Sequence, residues 1–188
     1  MDKIRFEQRR IGFAALALVV VAVLLVATTS VYTQEVAIGT ATATVLSALT
    51  VASSASLVFG DVFQGVPKTV ANSSTDAGIF KVTGQKDSPI TMYFQLPEYL
   101  VLSDGSDRMI MTFSATDCSV DTTGADNPAG MAGTKGWQNT DPRSLPAAAT
   151  VGTAGTSIYL GGQVIPSIYQ RSGSYSGDII LTVTYNGT

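Results

Sequence analysis

The sequence predicts an all-β protein, an immunoglobulin-like antiparallel β-sandwich of about seven strands, placed behind an N-terminal apolar export helix. Three observations carry this reading. Beyond residue 34 no stretch of about twelve residues combines helical spacing with caps. Runs of strand length recur instead, each bounded by Gly, Pro or Asp. Ahead of them, residues 11–27 form an unbroken apolar run of 17, directly behind Lys3, Arg5, Arg9 and Arg10.

The order of basic residues, apolar run and small polar Thr28, Thr29 and Ser30 is what the secretion machinery reads. It directs the remainder out of the cytoplasm, to the cell surface, a fimbria or the periplasm. Residues 1–34 therefore read as a signal peptide or an N-terminal membrane segment. The run exceeds the roughly 7–15 residues of a signal h-region and meets the lower limit of roughly 17 for a spanning helix, so both fates stay open. Gly12-Phe13 after Arg9-Arg10 has the form of a prepilin cleavage point. Against that, no Glu stands at the fifth position after the cut, and Thr28, Thr29, Ser30, Val31 and Thr33 would break an assembly helix.

Residues 35–188 have the size of one domain with a real core. From Glu35 onward seven Lys or Arg face twelve Asp or Glu, a balance of −5, and no basic cluster is present. That excludes nucleic acid, whose phosphates need clustered cations. Charged residues make up only 13% of the chain. A surface solvated by hydroxyls and amides suits close packing of copies, because few ions need desolvating when subunits meet. Cys118 is the single cysteine, so no intrachain disulfide can form. With no histidine anywhere to activate it, the thiol reads as a small buried side chain.

Strands are expected at several places along the chain. Residues 40–51 alternate hydroxyl with apolar, Thr40-Ala41-Thr42-Ala43-Thr44-Val45, at a period of two. Leu57-Val58-Phe59 ends at the Gly60-Asp61 turn. Residues 79–83 lie between Gly78 and Gly84, residues 90–96 between Pro89 and Pro97, and residues 109–113 come after the turn at Asp104-Gly105-Ser106-Asp107. The pattern then lapses across residues 116–156, a Gly/Ala/Thr-rich insertion holding Trp137; a gap of that length marks an excursion or a functional loop. Strand signal returns at residues 158–165 and in a final run from Tyr175 to Tyr185. There Ile179, Leu181, Val183 and Tyr185 share one face, and the apolar Ile180 on the other suggests a central strand.

The opening residues 41–51, Leu57-Val58-Phe59-Gly60, Phe80-Lys81-Val82-Thr83-Gly84 and the close Gly173-Ser174-Tyr175-Ser176-Gly177, with Leu181-Thr182-Val183-Thr184-Tyr185-Asn186 behind it, carry a family resemblance. Residues 40–186 resemble a bacterial surface domain of unknown function, related to spore coat protein U and to the major subunits of chaperone-usher fimbriae. The resemblance implies an incomplete immunoglobulin-like fold completed by a donor strand from a neighbour. The partners it implies are other copies of the chain, a periplasmic chaperone and an outer-membrane usher. The donor candidate is the segment carrying Val36, Ile38, Thr40, Thr42 and Val45. The acceptor candidate is the groove beside Ile179, Leu181, Val183 and Tyr185. The same N-terminal segment could instead pair within its own domain as a first strand.

Other chemistries find little footing. The absence of histidine removes the commonest general base and metal ligand, and no carboxylate pair can be placed on facing strand positions, so no enzyme and no cofactor is expected. Asp104, Asp107, Asp117, Asp121, Asp126 and Asn127 offer calcium-type oxygens, but their spacing fits no EF-hand loop and they read as turn residues. Asn72-Ser73-Ser74 and Asn186-Gly187-Thr188 match the glycosylation pattern. Tyr159, Tyr169, Tyr175 and Tyr185 read as strand and core aromatics. The expectation is an exported, pilin-like structural subunit of a fimbria or surface layer. Its rival is a monomeric surface or periplasmic module that binds carbohydrate through Trp137 and the aspartate-rich loops.

Overall fold

The structure is a computed structural model that describes Glu35, residues 37–130 and residues 136–186. The predicted export segment, residues 1–34, and Val36 of the donor candidate lie outside the described residues. Among the described residues no helix is long and apolar enough to cross a membrane. The chain divides into two compact units, Met1–Ala43 and Thr44–Thr188. Of the first, residues 35 and 37–43 carry no strand and are exposed.

The second unit is all-β and antiparallel, as the sequence predicts. Among the described residues it holds twelve strands: β1 (Thr50–Ala55), β2 (Lys68–Val70), β3 (Gly78–Thr83), β4 (Ile90–Gln95), β5 (Tyr99–Leu102), β6 (Arg108–Thr112), β7 (Cys118–Asp121), β8 (Gly136–Thr140), β9 (Thr156–Leu160), β10 (Gly162–Ile165), β11 (Tyr175–Ser176) and β12 (Ile180–Tyr185). They form a sheet ordered β1-β3-β9-β7-β8, a second ordered β11-β5-β6-β10-β2, and the pair β12-β4.

All three sheets feed one core. Phe80 and Val82 of β3, Val120 of β7 and Ile158 of β9 meet Met109 and Met111 of β6, Val164 of β10, and Ile90, Met92 and Phe94 of β4. In β4 the period of two is complete: Ile90, Met92 and Phe94 are buried while Thr91, Tyr93 and Gln95 face out. Phe94 meets Phe80 edge-on, ring centroids 5.2 Å apart. The chain steps from the first sheet to the second at Gly161, between β9 and β10. A Cβ there would collide with the Val70 carbonyl oxygen, so the step requires glycine.

Several expectations are corrected. The alternating residues 40–49 form no strand, and β1 begins at Thr50. Leu57, Val58 and Phe59 belong to no strand and join no ladder. The insertion at 116–156 is not strandless. It contains β7, whose four residues are all buried, a 3-10 turn at Pro128–Gly130, and β8. Alternation fails to announce β7 because β9 and β8 flank it while both of its faces are covered. The final run is broken into β11 and β12. β12 is not central: among the described residues it pairs with β4 alone, from Ile180 opposite Gln95 to Tyr185 opposite Ile90.

Candidate assembly groove

Two chain stretches running in opposite directions, residues 50–64 and 170–185, frame one side of the core. Along the first, Leu57, Phe59 and Val62 are half-buried and packed on the core, whereas Val58 and Phe63 point outward. The stretch is tethered by the Val58 N–H donating to the Asp76 carbonyl at 2.9 Å and by Lys68 Nζ donating to the Asp61 carbonyl at 2.9 Å. Between residues 56–64 of the first wall and 170–179 of the second lies a cavity of about 920 Å³ whose floor is Leu100, Met109, Met111 and Val164 and whose lining includes Tyr175 and Ile179. Core side chains thus form the floor of an open groove.

Hydrogen bonds tie the walls together at both extremities. At the upper end the Gly65 N–H donates to the Ser167 carbonyl at 3.1 Å, and Gln64 Nε2 donates to the Gln170 carbonyl at 2.5 Å. At the lower end the Tyr185 hydroxyl donates to the Ser47 carbonyl at 2.9 Å and accepts from the Gln85 N–H at 2.6 Å. Between these straps the two walls share no ladder. β1 pairs with β3 alone and β12 with β4 alone, so each leaves one strand edge without a ladder among the described residues.

The upper part of the second wall is fixed by Asp107. Its Oδ2 accepts from Gln170 Nε2 at 2.7 Å, from the Arg171 N–H at 2.9 Å and from the Tyr175 hydroxyl at 2.7 Å; its Oδ1 accepts from the Arg108 N–H at 2.8 Å. The Arg171 N–H first, then the Tyr175 hydroxyl, hold this carboxyl below the usual value of 3.8. Asp104, bonded to the Ser106 hydroxyl and N–H in the adjacent turn, is lowered likewise.

The structure brings one predicted acceptor residue, Ile179, to the groove. Leu181, Val183 and Tyr185 continue its face along β12, half-buried against the core, but line the lower edge instead of the cavity. Of the donor candidates within the described residues, Ile38 is 90% and Val45 94% exposed, Thr40 and Thr42 are exposed, and none belongs to a strand. Sequence reasoning misses Leu57, Phe59, Leu100, Met109, Met111 and Val164 as groove residues. Their apolar character is plain in the sequence; the absence of a covering strand is not.

The remaining candidates have structural occupations. Asp117 accepts from the Ser114 N–H at 2.7 Å and Asp121 from the Thr123 N–H at 2.7 Å, both as local turn caps. Among the described residues no three His, Cys, Asp or Glu side chains converge where they could hold a metal ion. Cys118 is buried and burial pushes its thiol up to about 12, which leaves it protonated and unreactive. Trp137 stands on β8, half-buried against the core. Asn72 is buried, its amide donating to the Thr116 carbonyl at 2.9 Å, so this glycosylation match has no accessible acceptor nitrogen. Tyr159 is fully buried, but Tyr169, expected in the core, is 84% exposed on a turn. The chain matches no protein-family model, no curated protein and no solved structure in the three comparisons made.

Proposed function

We propose that this chain is an exported structural subunit, pilin-like, which assembles into a fimbria or surface layer by taking an extended segment of a neighbouring copy into the groove. The domain on this reading is an immunoglobulin-like β-sandwich lacking one strand, in keeping with the resemblance to fimbrial and spore-coat proteins. One observation carries the proposal: the groove floor of Leu100, Met109, Met111 and Val164 opens between residues 56–64, which join no ladder, and the stretch 170–179, whose strand β11 pairs with β5 alone among the described residues. An inserted strand would gain main-chain hydrogen bonds from the bare edge of β11 and bury alternate side chains on that floor. Each buried apolar Å² contributes about 25 cal/mol.

The donor is the segment at residues 36–45. It contains no proline, and it carries exposed apolar side chains in an alternating pattern. A periplasmic chaperone would shield the groove before assembly, and an outer-membrane usher would pass subunits onward. The role is structural, without catalysis or cofactor.

Size-exclusion chromatography with light scattering of the full chain tests this. Wild type is expected to form polymers, and Ile179→Arg, which sets a charge in the groove mouth, to shift the population to monomer. A compact wild-type monomer whose profile Ile179→Arg leaves unchanged defeats the proposal.

A further inference from the structure

Two turns meet at the upper end of the groove and carry a cluster of exposed apolar side chains. Phe63 is 75%, Val66 54%, Ile168 66% and Tyr169 84% exposed. The turns are braced: the Val66 N–H donates to the Phe63 carbonyl at 3.1 Å, the Gln170 N–H to the Ser167 carbonyl at 3.0 Å, and the Tyr169 N–H to Ser167 Oγ at 3.1 Å. Four large apolar side chains held on fixed turns in water mark a contact surface. The tip is continuous with the groove, since Phe63, Gln64, Pro166 and Gln170 belong to the groove lining.

Chain length says what covers it. Ser47 is fastened to its own domain by the bond from the Tyr185 hydroxyl, and Ser47 Oγ donates to Gln85 Oε1 at 3.2 Å. Ser47 stands two positions after Val45. At about 3.3 Å per residue, a copy whose residues 36–45 fill a neighbour's groove has its own body within about 7 Å of the groove end from which it emerges. The two ends differ in chemistry. The lower end exposes the Lys86–Asp87 ion pair, at 3.4 Å, and the upper end exposes the apolar tip. A segment emerging at the upper end would bring the exposed Leu46, and the body behind it, onto Phe63, Val66, Ile168 and Tyr169.

We propose that this tip is the docking surface for the body of the second copy whose N-terminal segment occupies the groove. Such docking rests on the groove-filling role proposed for residues 36–45. The donor then runs antiparallel to β11, because the second wall descends from the upper end and the donor must leave there. Assembly also comes to depend on four residues outside the inserted strand.

The test uses the full chain carrying the double substitution Val66→Ser and Tyr169→Ser, both at exposed positions outside the groove lining. Two quantities are compared with wild type: the assembled fraction by sedimentation velocity, and binding of a fluorescent peptide of residues 36–45, which fills the groove but brings neither Leu46 nor a body to the tip. Expected is a tenfold or greater loss of assembled fraction with peptide affinity changed less than twofold. Unchanged assembly in the double variant overturns the tip's role while leaving groove filling intact. Wild type that neither assembles nor binds the peptide overturns both. Cosedimentation of wild type with vesicles of phosphatidylethanolamine and phosphatidylglycerol, lost in the double variant while assembly persists, assigns the tip to a lipid surface and overturns the inference.

Discussion

Asp107 shows how one carboxylate can fix a wall. Three donors converge on Oδ2, and they belong to Gln170, Arg171 and Tyr175, residues that line the groove. Because these bonds favour the charged form, the folded-state pKa lies below the unfolded value near 3.8. The stabilisation from Asp107 is therefore complete above that unfolded value and is lost as pH falls through the lower, folded one. Asp104, bonded to Ser106, contributes in the same window. The thermal midpoint of wild type, monitored by circular dichroism, is expected to hold from pH 7 to about pH 5 and to decline below about pH 4. Asp107→Asn should melt lower than wild type at pH 7 and lose part of that acid dependence. Identical pH profiles for the two proteins would show that the carboxylate does not brace the wall.

At the scale of elements, β4 and β12 are legible in the sequence because each has one covered and one open face, so chemistry alternates with geometry. β9 and β7 break that logic. All five residues of β9 are buried, including Thr156 and Ser157, whose hydroxyls are satisfied by the Thr150 carbonyl and by Asp126. β7 carries buried Asp121, whose Oδ1 accepts the Thr123 N–H. Polar residues hydrogen-bonded inside a doubly covered sheet read as loop, which is why residues 116–156 give no strand signal. The converse holds at residues 40–49: alternation is present, yet no neighbouring strand receives it. A pattern specifies a strand only where a partner and a surface exist to use it. The groove is half-legible for the same reason, with Ile179 evident from its face and the Met109/Met111 floor hidden because its missing cover is a property of topology. The contrast gives a measurable consequence. Ile158→Ala, at a fully buried site on β9, should cost about 2–5 kcal/mol in urea unfolding, whereas Ile180→Ala, on the outward face of β12, should change stability by about 0.5 kcal/mol or less. Comparable losses at both sites would mean that the outward face of β12 is covered in the solution species.

For the whole molecule, an incomplete sheet beside an open core implies that stability depends on what fills the gap. A ligand that binds the folded state alone raises its stability by RT ln(1 + [L]/Kd), about 2.7 kcal/mol at one hundred times Kd. For a domain of this size, 1 kcal/mol moves the midpoint by about 2–4 °C, so a saturating peptide of residues 36–45 should raise the melting temperature by roughly 5–10 °C. A scrambled peptide of identical composition controls for nonspecific adsorption, since it lacks the alternation that places every second side chain toward Leu100, Met109, Met111 and Val164. Ile179→Arg should abolish most of the shift, because a guanidinium at the groove wall would have to be desolvated beneath the incoming strand. If the native peptide gives no shift while the chain melts cooperatively, the groove is not an unfilled strand position. If native and scrambled peptides act alike, the groove is an apolar cleft without strand register. Either result removes the physical basis for assembly by strand donation, because both the free edge of β11 and the alternate-residue contacts are required to stabilise an inserted segment.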